Sequence, residues 1–373
     1  MNPTFSSGIV IVGVMVAAVA GGMAADPAAA PVGVAKPFDP NHDYIIGIGD
    51  GNIVWDERTV VPGTERKVWS SYLHRFFVQH PNDLYGAEVF RSVEAGGTLG
   101  AVALPDGTVL LNQSGGLVWA HAGQPPRLEH GQNLTCIPGA MYPEGLVMHT
   151  SNPGKDDDIV TLFWVPISAG KLDYESKVRL DDVADGTHVE NTPFIRHGQQ
   201  IAWLDTTRTA GQLHPVAQRL QRPARVYLFD VSNRSLRSAE PNLPTRWRLF
   251  GFDGHVAFDG EHVIDPVTGK VAEPIPVGTQ EDSTVLGLIS GVLYVVRETG
   301  VHILVPDPAF EVLAVPLDHP ERQHVVYCIT KDKIRPGIKP GERLMIPWGN
   351  LFLITDDTLR AWDGSKWAKV PLK

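Results

Sequence analysis

The chain has 373 residues, a formal net charge of −10 and no long basic run, which excludes a phosphate-backbone binder. A hydrophobic share of 43% excludes wholesale disorder, and 37 Gly with 30 Pro punctuate the chain too often for long helices. Only Cys136 and Cys328 are present, so a disulfide scaffold is excluded; one pairing and two small buried thiols both remain open.

Residues 1–25 carry no charged side chain, and Ile9 to Ala20 is a compact apolar run. Small residues follow, then Asp26-Pro27. This is the pattern of a signal peptide cleaved near Ala24 or Ala25, although its start lacks the usual Lys or Arg. Phe5 to Ala25 is also long enough for an uncleaved anchor, the one route by which a membrane enters the reading. The expected location is therefore outside the cytoplasm: periplasm, cell surface or medium. Residues 26–42 read as an Ala/Pro-rich linker, and 43–373 as one domain.

Tyr44 to Trp55 reads as a hairpin across Asp50-Gly51. Thr64 to Gln79 reads as a helix, an insertion packed on the β domain. Val68, Trp69, Tyr72, Leu73, Phe76 and Phe77 line one face, Thr64 caps it and Pro81 stops it. From Phe90 onward strands dominate, in units of four at the roughly 40–50-residue period of propeller blades. A first unit takes Thr98–Leu104, Thr108–Leu111 and Leu117–Ala120. A second takes Leu134–Ile137, Gly145–His149, Ile159–Val165 and Lys177–Leu180. A third takes Thr192–Ile195, Gln200–Leu204, Arg225–Phe229 and Ser235–Ser238. A fourth takes Trp247–Phe252, His255–Phe258, His262–Ile264 and Lys270–Glu273. A fifth takes Thr284–Ile289, Val292–Val296, His302–Val305 and Glu311–Val315; the sixth is the closing hairpin unit Leu351–Pro371. The expected fold is an all-β propeller of six blades. It has seven if the Tyr44–Trp55 hairpin starts one, unless that hairpin instead completes the ring with the C-terminus. A pair of β-sandwiches is the alternative.

Two segments carry a resemblance. Pro193, Phe194, Gly198, Ile201, Ala202 and Trp203, followed by the strand Arg225 to Val231, resemble a TolB-type propeller repeat, with Arg196-His197 departing from its turn. Asp265-Pro266-Val267-Thr268-Gly269-Lys270 resembles the repeat of pyrroloquinoline-quinone-type propellers. Both imply blades rather than an activity.

Chemistry-bearing residues fall in the connections. Asp181 to Asn191 offers carboxylates and an imidazole, though Asp-Gly turn chemistry also explains it. Lys155-Asp156-Asp157-Asp158 lacks the alternating spacing of a calcium loop. Asp318 to His324 holds two histidines with Pro320 between them, a surface turn rather than a zinc helix. No metal site and no cofactor is read from the sequence. Trp119, Trp164, Trp203, Trp362 and Trp367 lie in strands and read as core; Asn133-Leu134-Thr135 matches a glycosylation sequon. The candidate channel-mouth residues are His188, Glu190, Asp282, Arg297 and Asp357. The expected function is an exported, non-catalytic propeller that binds a protein or glycan. The alternatives are a polysaccharide-acting lyase or hydrolase on the same scaffold and a quinone-dependent dehydrogenase.

Overall fold

The computed structural model describes residues 34–39, 43–62, 72–94, 100–113, 116–129, 133–150, 160–183, 193–205, 224–242, 249–275, 283–299, 309–329, 345–346, 350–354, 358–362 and 367–371. The leader 1–25 and most of the linker lie outside them. Among the described residues every regular element is a strand, apart from a 3₁₀ turn at Pro320–Arg322.

The strands form successive antiparallel units. The first holds β1 (Ala35–Lys36), β2 (Asp43–Gly49), β3 (Asn52–Val60), β4 (Tyr72–Gln79) and β5 (Gly86–Glu94), with β1 added to the outer edge of β5. The second holds β6 (Gly100–Ala103), β7 (Val109–Gln113), β8 (Gly116–Ala120) and β9 (Arg127–Glu129). The third holds β10 (Leu134–Tyr142), β11 (Gly145–Thr150), β12 (Val160–Ser168), the short β13 (Lys171–Leu172) and β14 (Val178–Val183). The fourth holds β15 (Ile195–His197), β16 (Gln200–Asp205), β17 (Arg225–Asp230) and β18 (Ser235–Ala239). The fifth holds β19 (Gly251–Phe252), β20 (Ala257–Phe258) and β21 (Val263–Ile264), with Val271 bridging Ile264 as its outer arm. The sixth holds β22 (Ser283–Ile289), β23 (Val292–Thr299), β24 (Ala309–Pro316) and β25 (His324–Ile329). The last holds β26 (Met345–Ile346), β27 (Asn350–Ile354), β28 (Thr358–Trp362) and β29 (Trp367–Pro371).

Among the described residues, seven such units thus follow one another in chain order. Their first strands lie side by side: β2 beside β6, β6 beside β10, β15 beside β19, β19 beside β22, and β26 of the last unit back beside β2. This is a β-propeller, and it excludes the paired sandwich.

The packing explains the sequence. Each sheet is covered on both faces, so alternate residues enter different cores. Val109 and Leu111 face the first unit, while Leu110 between them joins the core shared with the third. Ile201 and Trp203 pack toward the third unit; Ala202 and Leu204 pack toward the fifth. Strands covered on both faces read as continuous apolar runs rather than as alternation.

The first strands approach backbone to backbone. Gly47 pairs in parallel with Ala101, and a Cβ at Gly47 would lie 2.0 Å from the Ala101 carbonyl oxygen. A Cβ at Gly251 would lie 2.5 Å from the Leu288 backbone nitrogen. Small residues are needed where two units meet in this way.

Several expectations are corrected. The helix over Thr64 to Gln79 is not formed at its apolar half: Tyr72–Gln79 is β4, paired along its length with β3 and β5. Residues 63–71 lie outside the described set. Burial of both faces of β4 produced the false helical stripe. The Tyr44–Trp55 hairpin begins a unit of its own, ahead of the six counted from Phe90. It does not complete a sheet with the C-terminus, because β29 pairs with β28. In the sixth unit the strand paired with β23 on its outer side is Ala309–Pro316, and His302–Val305 lies outside the described residues. Cys136 is a free thiol, buried in the core between the second and third units, where burial pushes its pKa far up.

The Asp265–Lys270 segment forms a tight turn. Asp265 Oδ1 accepts from the Val267 and Thr268 amides at 2.8 and 3.2 Å, and Gly269 has φ +74.

Candidate functional site

Within a unit the end of the second strand, the start of the third and the exit from the fourth lie at one end of the sheet. The longer connections leave that end: 61–71, 151–159, 184–194, 206–224, 240–250, 300–308 and 330–344. The opposite end is closed by short turns such as 50–51, 143–144, 198–199 and 290–291, with 317–323 its longest stretch free of strand.

His188 and Glu190 fall between β14 and β15, Asp282 just before β22, and Asp357 between β27 and β28; all four lie outside the described residues. Arg297 is described. It lies near the long-connection end of β23, opposite Ser283 on one side and Glu311 on the other. Its Nη2 donates to Glu311 Oε2 at 2.7 Å, so the guanidinium is tied across its own sheet. Among the expected turns, Asp318–His324 is an exposed surface segment around the 3₁₀ turn. Asp181 accepts from the Tyr227 hydroxyl of the next unit. Trp119, Trp164 and Trp203 are buried, as core residues should be.

Sequence reasoning passed over a row of polar residues at the second-strand ends. Gln113, His149, Asp205 and Asp259 lie at or next to the ends of β7, β11, β16 and β20, and all are buried. Buried polar groups need partners. Gln113 Nε2 donates to Ser92 Oγ at 3.2 Å, joining the second unit to the first. His149 Nδ1 donates to the Thr150 carbonyl at 3.1 Å. Asp259 Oδ1 accepts from the Glu261 and His262 amides at 3.0 and 2.7 Å. The available signal was a polar residue ending an apolar strand in successive units.

The first unit holds the densest charge. Asp56 and His74 are fully buried, with His74 Nδ1 donating to Asp56 Oδ2 at 2.9 Å and Arg58 Nε donating to the same oxygen at 2.6 Å. On the opposite face Lys36 bridges Asp43 and Glu57, Arg75 bridges Glu57 and Glu88, and Arg91 also binds Glu88. Burial pushes the Asp43 carboxyl up despite Lys36. Burial would raise Glu88 too, but its hydrogen bonds from Arg91 and Arg75 outweigh that and hold it below the usual carboxylate range. These pairs stitch β1, β2, β3, β4 and β5 together. Full burial keeps solutes away from His74 Nε2, so the Asp56–His74 pair organises strands. Among the described residues no three His, Cys, Asp or Glu side chains gather as a metal site.

The lowered Glu88 pKa fixes the sign of a pH effect. Its contribution is present above the unfolded carboxylate value and is lost as pH falls through the lower folded value. Glu88→Gln is expected to cost about 1–3 kcal/mol at neutral pH. The gap between the two proteins should close as pH falls below about 4. Urea unfolding at a series of pH values checks this.

At the short-turn end, His197 closes β15 and lies against Phe252 and Trp362, with ring centroids 6.3 and 5.9 Å away. Beside it Arg196 forms a two-pronged bond to Glu144 at 2.8 and 2.7 Å, joining the fourth unit to the third.

No family model matches the chain, and no curated protein does. Solved structures that are similar to it include the β-propeller domain of the Trilobed protease from Pyrococcus furiosus, at 9% identity and TM-score 0.41, covering 88% of this chain and 97% of that one. A puromycin-hydrolyzing peptidase of Mycobacterium tuberculosis aligns at 12% identity and TM-score 0.35, over 86% of this chain and 57% of that one. The acylaminoacyl peptidase of Pyrococcus horikoshii aligns at 10% identity and TM-score 0.40, over 91% and 54%. At these scores the likeness carries no activity to the chain, and the fold rests on the strand pairing above.

Proposed function

We propose that the chain is an exported recognition propeller whose long-connection end binds a protein or glycan partner. The observation that carries this is the asymmetry of the disc: one end is trimmed to short turns, while the other carries connections such as 206–224 and 330–344. Stretches this long between paired strands are uncommon in compact domains unless they serve a purpose, and a rigid scaffold lets them vary. Net charge −10 favours partners other than nucleic acid. The TolB-type features Pro193 to Trp203 fit a scaffold role, because they build the β15–β16 hairpin.

The test replaces 206–224 by an Asn-Gly turn joining β16 to β17. The melting temperature is expected to shift little, since loop-closure entropy changes slowly with length. Binding on a glycan array or to a protein panel at moderate salt should fall at least about tenfold, a loss of 1.4 kcal/mol. Undiminished binding by the shortened protein would sink the recognition reading. Shortened or unsaturated oligosaccharide products from the glycan panel would instead establish the lyase or hydrolase alternative.

A further inference from the structure

We propose that His197 is an acid-released latch that holds the last unit against the middle of the ring. The fourth and last units are not neighbours in chain order, yet His197 at the end of β15 meets Trp362 at the end of β28, ring centroids 5.9 Å apart and planes inclined by 38°. On its other side the imidazole is fixed by the fifth unit. Phe252 meets it edge-on at 6.3 Å, and a Cβ at Gly254 would lie 2.7 Å from its Cδ2. Phe252 and Gly254 of the fifth unit thus pack against the ring as Trp362 does.

His197 Nδ1 is buried and has no hydrogen-bond partner among the described residues. In the neutral ring this nitrogen carries a lone pair and tolerates an apolar setting. A second proton would put an N–H there with no acceptor, a cost the ring avoids by leaving. Two titratable groups face it from the β19–β20 connection. Burial lowers the His197 pKa; Asp253 favours the charged ring but does not offset this, and His255 opposes the charge further. Asp253 is not free to swing over: Oδ1 accepts from the His255 and Val256 amides, and Oδ2 from the Gly291 amide at 2.9 Å. Arg196, next in the chain, is committed to Glu144.

The sign follows. A histidine with a lowered folded pKa stabilises its contact fully above the ordinary value of about 6.5, and the contribution drains away as pH falls below it. Release of Trp362 frees the last unit at the seam where β26 meets β2.

The experiment uses the full chain. The emission of Trp362, taken as the difference between the native protein and Trp362→Phe, is expected to shift to the red between pH 7.5 and 5. Proteolytic release of the C-terminal unit should quicken over the same interval, because the ring resists the charge that acid imposes. In His197→Gln, which cannot gain the charge, the release rate should not change with pH. A Trp362 difference emission that stays constant with pH overturns the proposal, and so does an equal acid response in His197→Gln. The emission measurement keeps His197 in place, so it decides the matter even where His197→Gln does not fold.

Discussion

Trp203→Ala is expected to lower the unfolding free energy by about 3–5 kcal/mol, the range for emptying a buried aromatic site. Trp203 is 1% exposed and lies in the core between the third and fourth units. It stacks on Tyr227 with ring centroids 4.9 Å apart and planes at 6°, and meets Phe194 at 5.2 Å. Its neighbours belong to two sheets held by their own hydrogen bonds, so they cannot collapse into the space, and an unrelaxed cavity is the costly kind. Trp203→Phe separates volume from polarity. The Trp203 indole N–H is buried without a partner among the described residues, so the phenylalanine variant removes that donor along with some volume. Its cost is expected below about 1.5 kcal/mol, typical of mild hydrophobic swaps. Urea midpoints with unchanged slopes check both values. Near-equal losses in the two variants would show that the indole ring contributes through polarity and not packing.

The parts of the fold that could be read in advance are those where turn chemistry punctuates the chain. Gly107 and Gly198 take positive φ, at +80 and +58, where a sharp reversal needs it. These positions marked the second and fourth units. Tyr72–Gln79 defeated the reading because both its faces are covered, so strand alternation disappears and an aromatic run mimics a helical stripe. The site was less legible than the fold. Asp56 and His74 lie on adjacent strands 18 positions apart, and nothing local in either strand announces their pairing. His197 and Trp362 meet only because the ring brings distant units together. In a propeller each unit contributes single residues to any shared point, so spacing along the chain carries little of that information. Arg297 shows the converse: it was chosen for its place near a connection, and Glu311 opposite it on β24 takes up its guanidinium.

Gly47→Ala is expected to damage the protein more than its single added methyl suggests. The new Cβ would lie 2.0 Å from the Ala101 carbonyl oxygen and 2.5 Å from its carbon. Both obstacles are backbone, so no rotamer change relieves the clash; β2 and β6 must separate. That separation breaks the parallel pairing that makes one continuous sheet of the first and second units. It also loosens the core between them, where Ile46, Val54 and Phe76 meet Ala101, Val109 and Leu111. Overpacking of this kind costs about 3 kcal/mol or more when the backbone itself must move. Gly123→Ala is the control. Gly123 has φ +74 but nothing within 4 Å of a Cβ, so its cost is the left-handed conformation alone, about 1–2 kcal/mol. Amide exchange distinguishes the two mechanisms. Faster exchange along β2 and β6 should accompany Gly47→Ala, whereas Gly123→Ala should leave those strands protected. If both variants lose the same stability and both keep that protection, the two units are not held by close approach of their first strands, and the seam must draw its strength from the side-chain core instead.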